Sequence, residues 1–169
     1  MRINELQKIA ESLDLTIKIQ VREVFNLNIF RIIVARVDDK KVKIWGEIKG
    51  WTFPNKSGVQ LDTLRILKGS PIFVSELIWA TTMSWALEKT KCKYARLLAI
   101  YDSEGYSKKL VRYFGLIGFK VTKEVGSKPS DLFLRLIWGG AGTLMKGDCK
   151  EILTRLEKKF IERKILYPA

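Results

Sequence analysis

The chain contains no histidine, which removes the Ser-His and Cys-His pairs and the commoner metal-ligand sets. Proton transfer is left to Asp, Glu, Tyr, Lys, Cys or water. One carboxylate is singled out by its place. Residues 59–67 alternate as a strand, with Val59, Leu61, Thr63, Arg65 and Leu67 on one face and Gln60, Asp62, Leu64 and Ile66 on the other. Asp62 therefore shares a face with two apolar residues, and a carboxylate so placed is partly buried or lines a cleft. Lys68-Gly69-Ser70-Pro71 ends the strand ahead of a helix over 75–89. Free N–H groups and the dipole at such a helix start favour an anion. Gly139-Gly140-Ala141-Gly142, read as lying between a strand and the last helix, suggests a second anion cradle. No Gly-Lys-Ser/Thr follows it, and a strand-ending turn accounts for it equally well.

Two cysteines, Cys92 and Cys149, are too few and too far apart to argue for a disulfide framework or a zinc site, so reduced thiols and no metal are expected. Lys and Arg total 31 against 18 Asp and Glu, a net charge of +13 that favours an anionic partner. The bases come in short clusters such as Lys108-Lys109 with Arg112, not in a tail. No apolar stretch reaches the ~18 residues of a membrane span, and residues 1–5 do not open a signal peptide. A soluble, cytoplasmic protein without membrane association is the expectation.

At 169 residues a single domain over 1–169 is expected. Periodicity predicts an amphipathic helix over 3–13, a half-buried strand over 15–22, a turn at Asn26-Leu27-Asn28, a hairpin of 29–37 with 42–48, and a loop over 50–58. The strand over 59–67 and a helix apolar nearly all round, with Trp79 and Trp85 in the core, come next. Residues 94–102 form a strand so continuously apolar that both faces should be covered. A helix over 106–117 turns Leu110, Val111, Phe114 and Ile117 inward and ends at Gly118. Residues 119–124 and 132–138 form a second hairpin, and a final helix starts with Asp148 as cap and Glu151 three residues on.

This order resembles the GNAT superfamily of N-acetyltransferases over about residues 15–138. The most specific stretch is Ser107-Lys108-Lys109-Leu110-Val111-Arg112-Tyr113-Phe114-Gly115-Leu116-Ile117-Gly118-Phe119. It is similar to the family's Asn-x-x-Ala-x-x-Leu-Tyr-x-x-x-Gly-Phe, with Leu110, Gly118 and Phe119 in the expected places or kinds. The wording Trp-Ala-Leu-Glu, Arg-Leu-Leu-Ala-Ile-Tyr-Asp and Trp-Gly-Gly-Ala-Gly looks like a divergent GNAT-like group of oxygenic photosynthetic lineages. The resemblance implies an α/β (α+β) fold, a mixed, mainly antiparallel sheet of about seven strands with helices on both faces.

It further implies an acyl-CoA site in a V between the fourth and fifth strands. Pantetheine would pair with the strand carrying Leu64 and Ile66, and pyrophosphate would sit on amides of Lys68, Gly69, Ser70, Phe73, Val74 and Ser75. The family's loop, Arg/Gln-x-x-Gly-x-Gly/Ala, places Ser70 at the basic position and Phe73 at the first glycine. Pro71 removes one donor. Asp62 falls where the family often keeps a general base, whose pKa desolvation would raise. The acid tyrosine would fall at Phe114, which lacks a hydroxyl, with Tyr113 and Tyr106 nearby, while Ser107 takes the asparagine position. The two helices usual between the first and second strands are missing.

The implied activity is transfer of an acetyl or other acyl group from acyl-CoA to an amine on a small molecule or protein. The alternative is a catalytically degenerate scaffold that binds nucleic acid, a ribonucleoprotein or an acidic protein through Lys108, Lys109, Arg112 and the last helix, with Trp45 and Trp51 as exposed aromatics. A homodimer is the remaining expected partnership.

Overall fold

The computed structural model describes residues 1–38, 41–53, 58–90, 92–100 and 106–163, the side chains of Tyr106 and Ser107 excepted. Helix α1 (Ile3–Ser12) leads into a meander of β1 (Thr16–Val24), β2 (Leu27–Asp38), β3 (Lys41–Thr52) and β4 (Val59–Ile66). Helix α2 (Val74–Lys89) crosses to β5 (Tyr94–Ile100). Then come α3 (Tyr106–Ile117), β6 (Lys120–Val125), a short α4 (Leu132–Trp138), β7 (Gly142–Asp148) and α5 (Cys149–Glu162). They build one seven-stranded sheet in the order β1-β2-β3-β4-β5-β7-β6. β4 and β5 run parallel; the other neighbours described are antiparallel.

Helix α2 is the centre of the core. Val74, Leu77, Ile78, Trp79, Met83 and Trp85 are all buried, as its all-round apolar sequence requires. Each such side chain contributes roughly 1.5–3 kcal/mol of transfer free energy. Of its buried hydroxyls, Thr82 Oγ1 donates to the Ile78 carbonyl at 2.7 Å and Ser84 Oγ to Glu88 at 2.7 Å, while Thr81 Oγ1 has no partner among the described residues. Helix α5 adds Ile152, Leu153, Leu156 and Phe160, and it starts as expected, the Asp148 carboxylate accepting from the amides of Lys150 and Glu151. Gly118 ends α3 at φ +124°, donating to the Phe114 and Gly115 carbonyls.

Several expectations give way. The first hairpin turns at Phe25-Asn26, both at positive φ, so the turn is a two-residue one and Leu27 already pairs with Val24. Strand β3 continues through Gly50, Trp51 and Thr52, expected as loop, because β2 and β4 bond it on both sides. Strand β5 is buried through Ala95, Leu97 and Ala99, but Arg96 and Leu98 opposite are half-buried and Ile100 is exposed, so its second face is only partly covered. Leu110 is exposed, not inward.

The largest correction concerns 132–138, expected as a strand and found as α4. A seven-residue apolar run does not distinguish strand from helix, and its flanks decide. A 3₁₀ turn (Pro129–Asp131) starts it, and Gly139 at φ +73° stops it. The turn is pinned by buried Asp131, which accepts from Lys123 Nζ at 2.5 Å and the Gly126 amide at 3.0 Å. Those bonds, Lys123 first, hold the Asp131 carboxyl below the ordinary carboxylate range. The last strand is therefore β7, inserted between β5 and β6. Gly142 opens β7, and a Cβ there would stand 2.3 Å from the Ala99 carbonyl oxygen. The 139–142 glycines thus run from a helix into a strand, so neither the alternative of a strand-glycine-helix cradle nor a strand-ending turn describes them.

One irregularity sets the geometry of the middle strands. Lys49 pairs with Thr63 but Gly50 pairs with Leu61, leaving Asp62 as the extra residue of a β-bulge in β4. Gly50 is the counterpart that permits it, since a Cβ there would lie 2.1 Å from the Gln60 carbonyl oxygen. Gly50→Ala should destabilise the protein by about 3 kcal/mol through this backbone clash, measured as a lower midpoint in urea denaturation.

Candidate active site

The pairing of β4 with β5 consists of Val59–Ala95, Gln60–Arg96 and Leu61–Leu97 and stops at the bulge. Beyond it β4 stays bonded to β3 as far as Ile66, so its other edge leaves β5 and a V opens. A narrow cleft of about 40 Å³ lies in this split, lined by Asp62, Leu64, Trp79, Leu97, Leu98 and Phe114 among others. Asp62 lines the cleft but is exposed, and its Oδ2 accepts from Thr63 Oγ1 at 2.8 Å. Phe114 is buried in the cleft wall edge-on to Trp79, with ring centroids 6.1 Å apart. It offers no proton.

Tyr113, one residue earlier, points elsewhere. Its hydroxyl lies 2.8 Å from Ser75 Oγ and accepts from Trp79 Nε1 at 3.0 Å, tying α3 to the first turn of α2. Ser75 and Tyr113 are thus brought together, while Asp62 belongs to the cleft with Leu64. The side chain of Ser107 lies outside the described residues.

At the start of α2 the cap residue is Phe73, at φ +80° and ψ −5°, a left-handed backbone that glycine adopts at least cost. Its ring packs on Phe160 at 6.1 Å, and the Arg163 guanidinium stands 5.1 Å from the ring centre. Val74 is fully buried and its amide reaches the Pro71 carbonyl at 3.4 Å. Among the described residues the amides of Ser75 and Glu76 have no partner, as first-turn donors commonly do not. Gly69 takes φ +76°, the Ser70 amide turns back to the Leu67 carbonyl at 3.0 Å, and Lys68 is exposed.

A second and larger pocket, about 550 Å³, lies where β2, β3 and the end of β4 meet. Its lining includes Arg31, Trp45, Glu47, Leu64, Arg65 and Ile66, so it adjoins the cleft at Leu64. Alternation hides it from the sequence. Val34 pairs with Gly46 but Ala35 with Ile44, which makes Trp45 a bulge residue and shifts the strand's faces around it. Ile44 is consequently exposed, whereas Trp45 is 9% and Glu47 7% exposed. Trp45 is no exposed aromatic, and Trp51 is half-buried against Trp138, ring centroids 5.6 Å apart.

Burial pushes the Glu47 carboxyl up, but the bond and charge of Arg31, with Lys49, outweigh it and hold the group below the ordinary carboxylate range. Arg31 donates to Glu47 Oε2 through Nε at 2.6 Å and through a terminal nitrogen, and Lys49 Nζ stands 3.5 Å from Oε1. A depressed folded-state pKa gives stability that is present above the ordinary value of 4.5 and lost as pH falls through the lower folded one. Arg31→Ala should therefore lower the melting temperature at pH 7 more than at pH 2, read by thermal scans. Tyr113→Phe should cost about 1–3 kcal/mol by leaving Trp79 Nε1 unpaired, again read by urea denaturation.

No protein-family model matches the sequence, and no curated protein does. Solved structures do match in fold. A structure described as apo FdhC, a nucleotide-linked sugar GNAT, superposes with a TM-score of 0.53 at 8% identity, over 82% of this chain but only 65%, under two thirds, of the neighbour. A chimera of the spermidine N-acetyltransferase SpeG from Vibrio cholerae with hSSAT gives 0.50 at 13% identity, over 75% of this chain and 69% of that one. Nourseothricin acetyltransferase gives 0.50 at 12% identity, over 80% and 85%. Strand order, the split sheet and these neighbours agree, and the chain has the GNAT fold.

Proposed function

We propose that the protein is an acyltransferase that moves an acetyl or other acyl group from acyl-CoA to an amine. The observation that carries this is the departure of β4 from β5 at the Asp62 bulge, beside the unpartnered amides at the start of α2. The residues present fit such a donor in their backbone. The unpaired edge of β4 around Leu64 and Ile66 would hold a pantetheine amide, and the amides of Ser75 and Glu76 would face a pyrophosphate. Phe73 already has the backbone conformation a glycine would supply, with its ring on Phe160. Lys68 and Arg163 offer cations near that turn in place of the basic residue that Ser70 replaces. Glu76 opposes the anion, since its carboxylate sits in the same first turn. CoA supplies the thioester.

In the transfer, the amine nitrogen bonds to the acyl carbon, the carbon–sulfur bond breaks, and the ammonium proton leaves through Asp62 or water. The thiolate takes a proton from solvent. Asp62, exposed at the cleft mouth, suits a base acting through water. Tyr113 holds Ser75 and so positions the cradle, while Ser107 would contribute at most one hydrogen bond from the start of α3. Positioning a thioester against a neutral amine accounts for most of the rate in such a site.

Calorimetry with acetyl-CoA should show binding to the protein, weakened or abolished by Ser75→Tyr and tightened by Phe73→Gly. No heat at high protein concentration would sink the reading. With an active acceptor, Asp62→Asn should lower kcat by roughly 10²-fold without weakening acetyl-CoA binding.

A further inference from the structure

We infer that the protein docks on an anionic lipid bilayer, with the outer side of α4 entering the interface and the basic face of the sheet beneath it turned to the headgroups. The inference does not depend on the acyl-transfer reading. It starts from α4, Leu132-Phe133-Leu134-Arg135-Leu136-Ile137-Trp138, which is apolar but for one residue and has only one covered side. Asp131, Leu134 and Trp138 recur at helical spacing and face inward, the first and last buried and Leu134 half-buried. Leu132, Phe133, Leu136 and Ile137 take the opposite side, and all four are exposed, Phe133 at 70% and Leu136 at 74%. A surface helix normally turns such residues toward the core. Here they form a convex ridge, and exposed apolar groups that stand together mark a contact surface.

Three contacts fix where the ridge points. Trp138 packs on Trp51 of β3, a Cβ on Gly140 would stand 3.8 Å from Ile100 of β5, and Asp131 accepts from Lys123 of β6. These partners share the sheet face opposite Ala95, Leu97 and Ala99, which enter the core with α2 and α5. The ridge therefore stands out from that second face, on the side away from the core.

The second face is basic. Register carries one row of its residues across all seven strands: Arg22, Ile29, Trp51, Gln60, Arg96, Lys146 and Lys120, with cations and no carboxylate. The next row holds Lys18, Ile33, Glu47 and Arg65, and its carboxylate is already engaged by Arg31 and Lys49. Asp131 at the foot of α4 is likewise bonded to Lys123, while Lys128 and Arg135 beside the ridge are exposed. Positive charge and apolar surface are thus presented together.

A bilayer with anionic headgroups answers both. A helix is about 10 Å across, so the ridge stands about that far above the sheet, close to the roughly 5–10 Å by which an interfacial helix buries its apolar side. The long side chains of Arg96 and Lys120 then extend toward the headgroups. Nucleic acid would take the cations but leave the ridge in water. A second copy would cover the ridge while bringing like charge to like charge. An acidic protein would have to supply a groove for a convex ridge, which fluid lipid does not require. Among the described residues no helix is long and apolar enough to cross a membrane, and a helix lying in the interface needs no such length.

The test uses the full chain in flotation with vesicles of phosphatidylcholine, with and without phosphatidylglycerol. The protein should float with the mixed vesicles and not with the neutral ones, and added salt should release it. Phe133→Ser with Leu136→Ser removes only exposed apolar surface, so the urea midpoint should hold while vesicle affinity falls roughly tenfold or more. Arg96→Gln and Lys120→Gln should each lower it roughly fivefold. A Phe133→Trp variant should be quenched by brominated acyl chains beyond the unsubstituted protein. No flotation at low salt would overturn the inference. So would flotation that the double serine variant retains in full, because cations alone would then account for it. A dimer in light scattering that the same variant turns into monomer would assign the ridge to a second copy and overturn it too.

Discussion

Between β4 and β5 the sheet holds by pairs at Val59, Gln60 and Leu61, and the molecule is built around the fact that pairing goes no further. Had β4 continued straight, its edge amides would be consumed by β5 and the cleft would close into ordinary sheet. The Asp62 bulge turns it away, and Gly50 on the facing strand is the space that lets the bulge exist. Both cavities depend on that departure: the cleft lies in the split, and the larger pocket lies along the part of β4 that has left. A strand edge released from pairing is costly unless something covers or uses it. Here the buried mass of α2 fixes the split from behind, with Trp79 in the cleft wall.

The start of α2 shows how a backbone arrangement can outlast the side chains that usually accompany it. A left-handed residue caps the helix, as a glycine would, but that residue is Phe73, and its ring serves as a platform between α5 and Arg163. The strain of a β-carbon at φ +80° is offset by packing. Tyr113 likewise keeps a hydroxyl near the first turn of α2 while Phe114 takes the cleft position. The hydroxyl thus lies one residue earlier along α3, about 100° around it.

Much of this was legible beforehand, and where it was not the causes are specific. The order of the meander, the buried α2, the Asp148 cap and the Gly118 stop all followed from periodicity and end residues, because local signals there agree with the tertiary demand. The fold was legible through the GNAT resemblance of the element order and the 107–119 stretch, and Asp62's place at a cleft through the apolar residues that share its strand face. Asp62's exposure was not, since alternation along a strand assumes no bulge, and β4 has one at that residue. The same blindness hid the Trp45 pocket, where a bulge in β3 exchanges inner and outer faces. The 132–138 run was misassigned because apolar character alone carries no period, and β7 was overlooked because its first residue, Gly142, needed for close approach to β5, reads with Gly139 and Gly140 as loop.

The place of β7 has a consequence for how the chain comes to be assembled. β5 and β6 never touch as partners; each bonds to β7, which is the last strand in the sequence. As the polypeptide leaves the ribosome, the first four strands can complete a meander from near neighbours alone. The second half must wait, with β5 open along the side where β7 will lie and β6 unpaired, until residue 148 has emerged. The interval is short in time but long in contour, and it concentrates the exposure of unpaired strand in the C-terminal half. A truncation ahead of β7 would remove one strand and strand two others.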